Sequence, residues 1–310
     1  MANITAKQVS ELRAKTGCGM MDCKKALVEA NGDFDEAIKI LRERGLSVAA
    51  KKADRIAAEG IVDILVTEDG RTAVMAEINT ESDFVAKNEQ FREFVSDVLK
   101  TILETRPASV EELLESSFTG TDKKVQEVLT EQIFKIGEKI SIRRFVVVEG
   151  VLSTYIHGKG TTGVIVKFDA DEAAACNPGF PEVAKNVALQ VAAMNCIYVN
   201  RAAVPDSVIE EEKEILRTQI ANDPKSANKP AEIIDKMVNG RVNKYYETNC
   251  LEDQIDVKDD SVTVGKYLDN AGKEFGGSIK LNQFYRYEKG EGIEKRVDNL
   301  DEEVAKMLNK

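Results

Sequence analysis

Val74-Met75-Ala76-Glu77-Ile78-Asn79 and Val164-Ile165-Val166-Lys167-Phe168-Asp169 stand 90 residues apart and carry the same run of strand-forming residues. On that offset Gly60 falls on Gly150, and Val98, Leu99 and Ile102 fall on Ala188, Leu189 and Ala192. Self-similarity at a fixed spacing marks a repeated structural unit. In the first copy Ile61-Val62-Asp63-Ile64-Leu65-Val66 and the run from Thr72 to Ile78 flank a Glu68-Asp69-Gly70 turn, the pattern of a β-hairpin. A helix is predicted from about Asn88 to Glu104, because Phe91, Phe94, Val95, Val98, Leu99 and Ile102 form one apolar stripe. The second copy also reads hairpin then helix. Two such units, each with strands and helix segregated, predict an α+β core of two similar subdomains with a groove or interface between them.

Working outward, the first 45 residues read as a three-helix bundle: Val9 and Leu12, then Cys23, Ala26, Leu27 and Ala30, then Phe34, Ala37, Ile38 and Leu41 recur at helical spacing. Thr5 can cap the first helix, Thr16-Gly17-Cys18-Gly19 breaks it, Asn31-Gly32-Asp33 leads into the third, and Gly45 is expected to end that one. The alanine-rich, basic stretch from Leu46 to Ala58 has a weak apolar face and reads as a linker helix. Beyond the second repeat, Ser207–Ala221 and Pro230–Glu247 predict an antiparallel helical hairpin. Residues 262–294 read as short strand-like runs, followed by a last helix from about Leu300 to Leu308.

A chain of 310 residues with 43% hydrophobic and 31% charged residues has the aliphatic content to fold, and its length suggests two or three units. Its formal charge of −11 repels phosphate backbones and anionic lipid, which argues against direct nucleic-acid binding. Lys51-Lys52 and Arg143-Arg144 are only pairs, not interleaved with stacking aromatics. The amino terminus lacks the apolar core of a signal peptide, and no apolar run approaches the roughly 20 residues of a membrane span, so a soluble cytoplasmic protein is expected. Five scattered cysteines point to reduced thiols rather than a disulfide framework.

Catalytic chemistry finds little to work with. His157 is the single histidine, so any triad or two-histidine metal site would have to be built around it, and its place in Tyr155-Ile156-His157-Gly158-Lys159-Gly160 suits a structural or contact role in a hairpin turn. Cys18 and Cys23 lack a second pair to complete four metal ligands, and Cys23 is expected on the helix seam. Gly158-Lys159-Gly160-Thr161-Thr162-Gly163 lacks the spacing of a phosphate-binding loop and precedes a strand, so it reads as a tight turn. The stretch Asn79-Thr80-Glu81-Ser82-Asp83-Phe84-Val85-Ala86-Lys87 sets an acid beside a large aromatic where a strand ends and a helix begins. Two readings stay open there: Ser82 or Asp83 caps the helix while Phe84 packs inward, or the loop displays the pair. Met20-Met21 either seals the bundle or offers a soft docking surface.

Three stretches taken together resemble the bacterial elongation factor Ts family: Leu12-Arg13-Ala14-Lys15-Thr16-Gly17-Cys18-Gly19-Met20-Met21-Asp22-Cys23-Lys24-Lys25-Ala26-Leu27, then Ser82-Asp83-Phe84-Val85-Ala86-Lys87, then Gly290-Glu291-Gly292-Ile293-Glu294-Lys295. The resemblance covers essentially the whole chain in the family's order. It implies a ubiquitin-associated-like helical bundle at 1–45, a linker helix at 46–58, core subdomain N at 59–147 and core subdomain C at 148–205 and 248–295. It further implies a coiled-coil insertion at 206–247 and a C-terminal helical module at 296–310. The function implied is binding to elongation factor Tu and exchange of its GDP, with Asp83 and Phe84, inside Ser82-Asp83-Phe84-Val85, entering the GTPase near its magnesium site. Leu12, Met20 and Met21 match the family's amino-terminal contact surface, and His157 matches the histidine of the second subdomain's hairpin. No enzymatic activity and no cofactor of its own are implied, since GDP or GTP and magnesium belong to the GTPase; a homodimer and a heterotetramer with the GTPase both stay open. Two departures stand out: Ser82 replaces the family's usual Thr and keeps the hydroxyl, and Gln254-Ile255-Asp256-Val257 replaces Gln-Pro-Phe-Val. The rival classes are a ubiquitin-type adaptor and a small-molecule enzyme with a site between the repeats. Neither accounts for Asp83-Phe84.

Overall fold

The computed structural model describes residues 4–223 and 229–294. It opens with α1 (Ala6–Thr16), α2 (Met20–Glu29) and α3 (Phe34–Lys52). Thr5 caps α1 through a reciprocal box with Gln8, and Gly17 closes it in the left-handed conformation at φ +65°. Val9, Leu12, Cys23, Leu27, Ala37 and Leu41 fill the seam between the three helices. Among the described residues, no helix is long and apolar enough to cross a membrane.

The chain then builds two three-stranded antiparallel sheets. The first has the order β1 (Glu59–Val66), β2 (Thr72–Thr80), β3 (Ile140–Glu149), with the single-turn α4 (Asp83–Ala86), α5 (Glu89–Thr105), α6 (Val110–Glu115) and α7 (Val125–Ile136) between its last two strands. The second has the order β4 (Val151–His157), β5 (Thr162–Ala170), β6 (Ile279–Glu288), enclosing α8 (Glu172–Ala175), α9 (Phe180–Ala193), the antiparallel pair α10 (Asp206–Asn222) and α11 (Ala231–Asn249), and α12 (Val264–Glu274). Even an irregularity recurs at the repeat offset: the register shifts at Glu77/Ile78 in one sheet and at Lys167/Phe168 in the other. The repeating unit is therefore larger than hairpin plus helix. It includes a third strand that returns from far along the chain.

Both middle strands are covered on two sides. Val74, Ala76 and Ile78 of β2 pack under α5 and α7, and Val164, Val166 and Phe168 of β5 pack under α9 and α12. The alternate residues Ala73 and Met75 meet Ile165 of the other sheet, together with Val62 and Val148. The order of layers is helices, sheet, sheet, helices. A Cβ on Gly163 would lie 2.6 Å from Val62 Cγ1, so the sheets approach too closely there for any side chain.

Three expectations need correction or limits. Gly45 does not end the third helix: α3 runs through it to Lys52, residues 53–58 are non-helical, and no separate linker helix spans 46–58. The physical reason is packing, because Gly45 lies where α3 meets α7, with Thr130 and Phe134 within 4 Å of where a Cβ would stand. Residues 264–274 are helix rather than strand, with Val264, Leu268 and Ala271 buried at helical spacing and Thr263 as the cap. The helix expected at 300–308 and the module at 296–310 lie outside the described residues.

Candidate partner-binding site

β2 ends at Thr80, and two residues later Ser82 turns the chain into α4. Ser82 is extended at φ −124° and its Oγ accepts the Val85 amide at 3.4 Å, an N-cap. Inside this single turn the four side chains divide. Ala86 is buried in the first core and Val85 packs against it, whereas Phe84 is 80% exposed. A turn of four residues presents one face inward, and Val85 and Ala86 occupy it. Of the two readings of this stretch, the structure combines a capping Ser82 with a displayed Phe84.

Asp83 stands beside the ring and receives a hydrogen bond from Lys87 Nζ at 2.6 Å, one helical turn away. That bond is the main reason the Asp83 carboxyl lies below its usual range. The tip thus shows an aromatic ring next to an anion.

Two carboxylates tie this tip to the turn between α7 and β3. Glu138 Oε2 accepts Thr80 Oγ1 at 2.9 Å and the Ser82 amide at 2.9 Å, and Glu138 Oε1 accepts Ser82 Oγ at 2.7 Å. In the opposite direction, Glu81 Oε1 accepts the Lys139 amide at 2.6 Å, and Glu81 Oε2 pairs with Arg55 at 3.2 Å. Lys139 Nζ donates to the Arg55 carbonyl at 2.8 Å, and Lys52 Nζ donates to the Gly137 carbonyl, so the same turn also holds the end of α3. Glu138, Glu81 and Arg55 escaped sequence reasoning, since no local pattern relates Glu138 to Ser82 across 56 residues.

The remaining residues expected at a partner surface fall on other elements. Met20 and Met21 open α2 and are 43% and 62% exposed. Leu12 is corrected: it is fully buried in the bundle seam, where it supports α2 from below and offers no surface to a partner. His157 ends β4 in an exposed hairpin, with its Nδ1 3.1 Å from Tyr155 Oη. That hairpin is pinned to the first sheet by the Val62 amide, which donates to the Gly160 carbonyl at 2.9 Å. The Gln254–Val257 loop carries no Pro-Phe, yet Ile255 and Val257 are 53% and 50% exposed. The fully buried Gln190 holds them there, donating to the Ile255 carbonyl at 3.1 Å and accepting the Val257 amide at 2.9 Å.

Four of the five thiols are buried and Cys176 is exposed. All five cysteines are free, and burial pushes the Cys196 and Cys250 thiols up to about 11. Cys23 sits in the bundle seam, as its spacing predicts.

Comparison with known proteins fits this arrangement. A sequence model of the family described as "Elongation factor TS" matches residues 81–291. The chain is 49% identical over 310 residues to elongation factor Ts of Clostridium perfringens (strain SM101 / Type A), an alignment spanning 99% of this chain and 100% of that protein. It is 47% identical over 309 residues to elongation factor Ts of Clostridium kluyveri (strain ATCC 8527 / DSM 555 / NBRC 12016 / NCIMB 10680 / K1), spanning 98% of this chain and 99% of the relative. Elongation factor Ts of Clostridium botulinum (strain 657 / Type Ba4) is 46% identical over 310 residues, with 99% of each chain covered.

Proposed function

Because the chain belongs to the elongation factor Ts family, a family of translation elongation factors, we propose that it is a guanine-nucleotide exchange factor that binds elongation factor Tu and promotes release of its GDP. The observation that carries this reading is the 80% exposure of Phe84 on a turn whose other face is pinned into the core. An aromatic ring held out in water gains about 1.5–3 kcal/mol on entering an apolar slot. In the partner this energy is directed against the nucleotide site. Magnesium requires near-ideal octahedral geometry, so a small displacement of its ligands by the entering ring weakens nucleotide binding. Asp83 brings a negative charge to the same place, where it opposes the phosphates or takes up a donor they release. Linkage makes the effect reciprocal: nucleotide rebinding expels the factor, and exchange turns over.

No bond-making step and no cofactor of the factor's own enter this scheme, which takes place in the cytoplasm where translation proceeds. Met20 and Met21, the His157 hairpin and the Ile255–Val257 loop serve as grips that hold the partner while Phe84 enters, a division that spreads the cost of association over several contacts.

The test is release of a fluorescent GDP analogue from purified elongation factor Tu, chased with unlabelled GDP, with the factor sub-stoichiometric. Intact factor is expected to accelerate release catalytically and Phe84→Ala to lose most of the acceleration while keeping its melting temperature, since the ring is not part of the core. A folded factor that leaves the release rate unchanged would overturn the assignment and favour an adaptor that binds through the amino-terminal bundle.

A further inference from the structure

The tip that carries Phe84 is too small to hold its own shape. A four-residue helix has barely passed the costly nucleation step, its cap bond to the Val85 amide is long at 3.4 Å, and the exposed ring contributes no packing of its own. Val85 and Ala86 anchor the tip from beneath through apolar packing, which is not directional. At the tip's leading edge the Glu138 carboxylate takes both the Ser82 amide and the Ser82 hydroxyl.

From this we propose that Glu138 is a positioning residue for nucleotide exchange: it orients the Ser82–Ala86 turn, and so the Phe84 ring, without touching the partner. The proposal deepens the exchange reading above and rests on it. Its chemistry follows from the donor and acceptor inventory. An ionised carboxylate only accepts, so Ser82 must spend its single hydroxyl proton on Glu138 Oε1. That choice leaves a Ser82 lone pair facing the Val85 amide, which is the cap. Glu138 Oε2 meanwhile takes the Ser82 amide together with Thr80 Oγ1, joining the last strand residue to the first turn residue through one rigid group. Three charge-assisted bonds on one carboxylate fix both ends of the Thr80–Ser82 bend. Ordering the tip before contact removes that entropy cost from the encounter with the GTPase. Glu138 itself is half-buried in a turn and contributes no side chain to the hydrophobic cores, so its removal should leave the fold in place.

The experiment compares wild-type factor, Glu138→Ala, Glu138→Gln, Phe84→Ala and the Glu138→Ala/Phe84→Ala double variant in the fluorescent GDP release assay, as a function of factor concentration. Glu138→Ala is expected to lower the maximal stimulated rate by about tenfold while shifting the half-saturating concentration by less than about twofold. Glu138→Gln keeps one acceptor and should fall between alanine and wild type. In the Phe84→Ala background the Glu138 substitution should add nothing, because a residue that acts through the ring has no effect once the ring is gone. Wild-type rates for Glu138→Ala, a loss that multiplies with that of Phe84→Ala, or a loss confined to the half-saturating concentration would each overturn the positioning role. If Glu138→Ala fails to fold, Ser82→Ala attacks the same contact from the other side and is held to the same outcomes. A wild-type factor that does not stimulate release would instead remove the exchange reading itself, so the two failures are told apart within one experiment.

Discussion

The Glu77 carboxylate, fully buried on β2, accepts the Gly290 amide at 2.8 Å across 213 residues of chain. Arg143 at 2.9 Å and Arg144 at 2.6 Å pair with the same carboxylate, and the Arg144 guanidinium lies over the Tyr287 ring at 4.1 Å from its centre. One acidic side chain thus joins the first sheet to the end of the second. Gly290 takes part because it must be glycine: its φ is +70°, and a Cβ there would lie 2.1 Å from the Ala58 carbonyl oxygen. Glu77 is on the same strand that runs out into the Thr80–Ser82 bend, so the junction of the sheets and the displayed ring share one rigid element.

Glu77→Ala is expected to be among the most destabilising substitutions in the chain. It removes the acceptor shared by the Arg143 and Arg144 guanidinium groups, the Asn79 side-chain amide and the Gly290 amide, and leaves the arginines their hydrogen bonds to Glu291 and the Glu288 carbonyl. Loss of one partner from a buried ion pair costs about 3–5 kcal/mol, and the lower end applies here because the arginines keep 29% and 30% of their side chains exposed. Urea unfolding followed by circular dichroism reads the change, and a loss under about 1 kcal/mol would mean that the network contributes no more than an exposed pair.

The same group gives stability a pH dependence. Burial pulls the Glu77 pKa upward, but the Gly290 amide, Arg143, Asn79 and Arg144 outweigh it and leave the carboxyl below its ordinary 4.5. A depressed native value means that the unfolded chain binds the proton more readily. The stabilisation is therefore complete above the ordinary 4.5 and is lost as the pH falls from there through the lower native value. Unfolding midpoints measured from pH 7 down to pH 3 should fall more steeply for wild type than for Glu77→Gln. Parallel curves would remove Glu77 as the cause.

At the tip, Lys87 is expected to control the charge of Asp83. With the Lys87 bond as its main cause, the Asp83 carboxyl lies below the ordinary 3.8, so it stays ionised to lower pH than a free aspartate. Lys87→Ala should move the Asp83 titration midpoint up toward 3.8, as followed by the carboxyl carbon resonance in NMR. An unmoved midpoint would transfer the effect to the α4 backbone or to Lys289, whose charge acts in the same direction.

What the sequence displays of this molecule is what its local patterns encode. The hairpins, the stripe of Phe91, Phe94 and Val98, and the α10–α11 pair are legible because periodicity lies within each segment. β3 and β6 close their sheets from 60 or more residues away, a pairing that no local pattern carries. In α12 the helical signal is the apolar spacing of Val264, Leu268 and Ala271, which a strand-like reading of 262–294 passes over. At the candidate site Asp83 and Phe84 could be singled out from an acid and an aromatic at a strand end. Glu138 could not, because its role exists only after β2 and the α7–β3 turn have come together. Leu12 shows the converse limit: a position within a motif does not say which way its side chain points.

Gly45 offers a prediction in which magnitudes decide the sign. As a helix terminator it would resist substitution, but it lies inside α3 with no left-handed backbone. A Cβ added there would stand 3.6 Å from Thr130 Cγ2 and 3.7 Å from Phe134 Cβ, both ordinary van der Waals separations. Glycine in a helix interior is less favourable than alanine by roughly 0.8–1.0 kcal/mol, and the new methyl also fills space against α7. Gly45→Ala should therefore stabilise the protein by up to about 1 kcal/mol, seen as a higher urea midpoint. Phenylalanine at the same position adds a ring to a Cβ already in van der Waals contact with Thr130 and Phe134, and should push α3 away from them. Since α3 carries the bundle with Met20 and Met21, that variant should cleave faster within residues 46–58 under limited proteolysis. A destabilised alanine variant would show that the separation of α3 from α7 is tighter than these distances allow, and that Gly45 is required by contact after all.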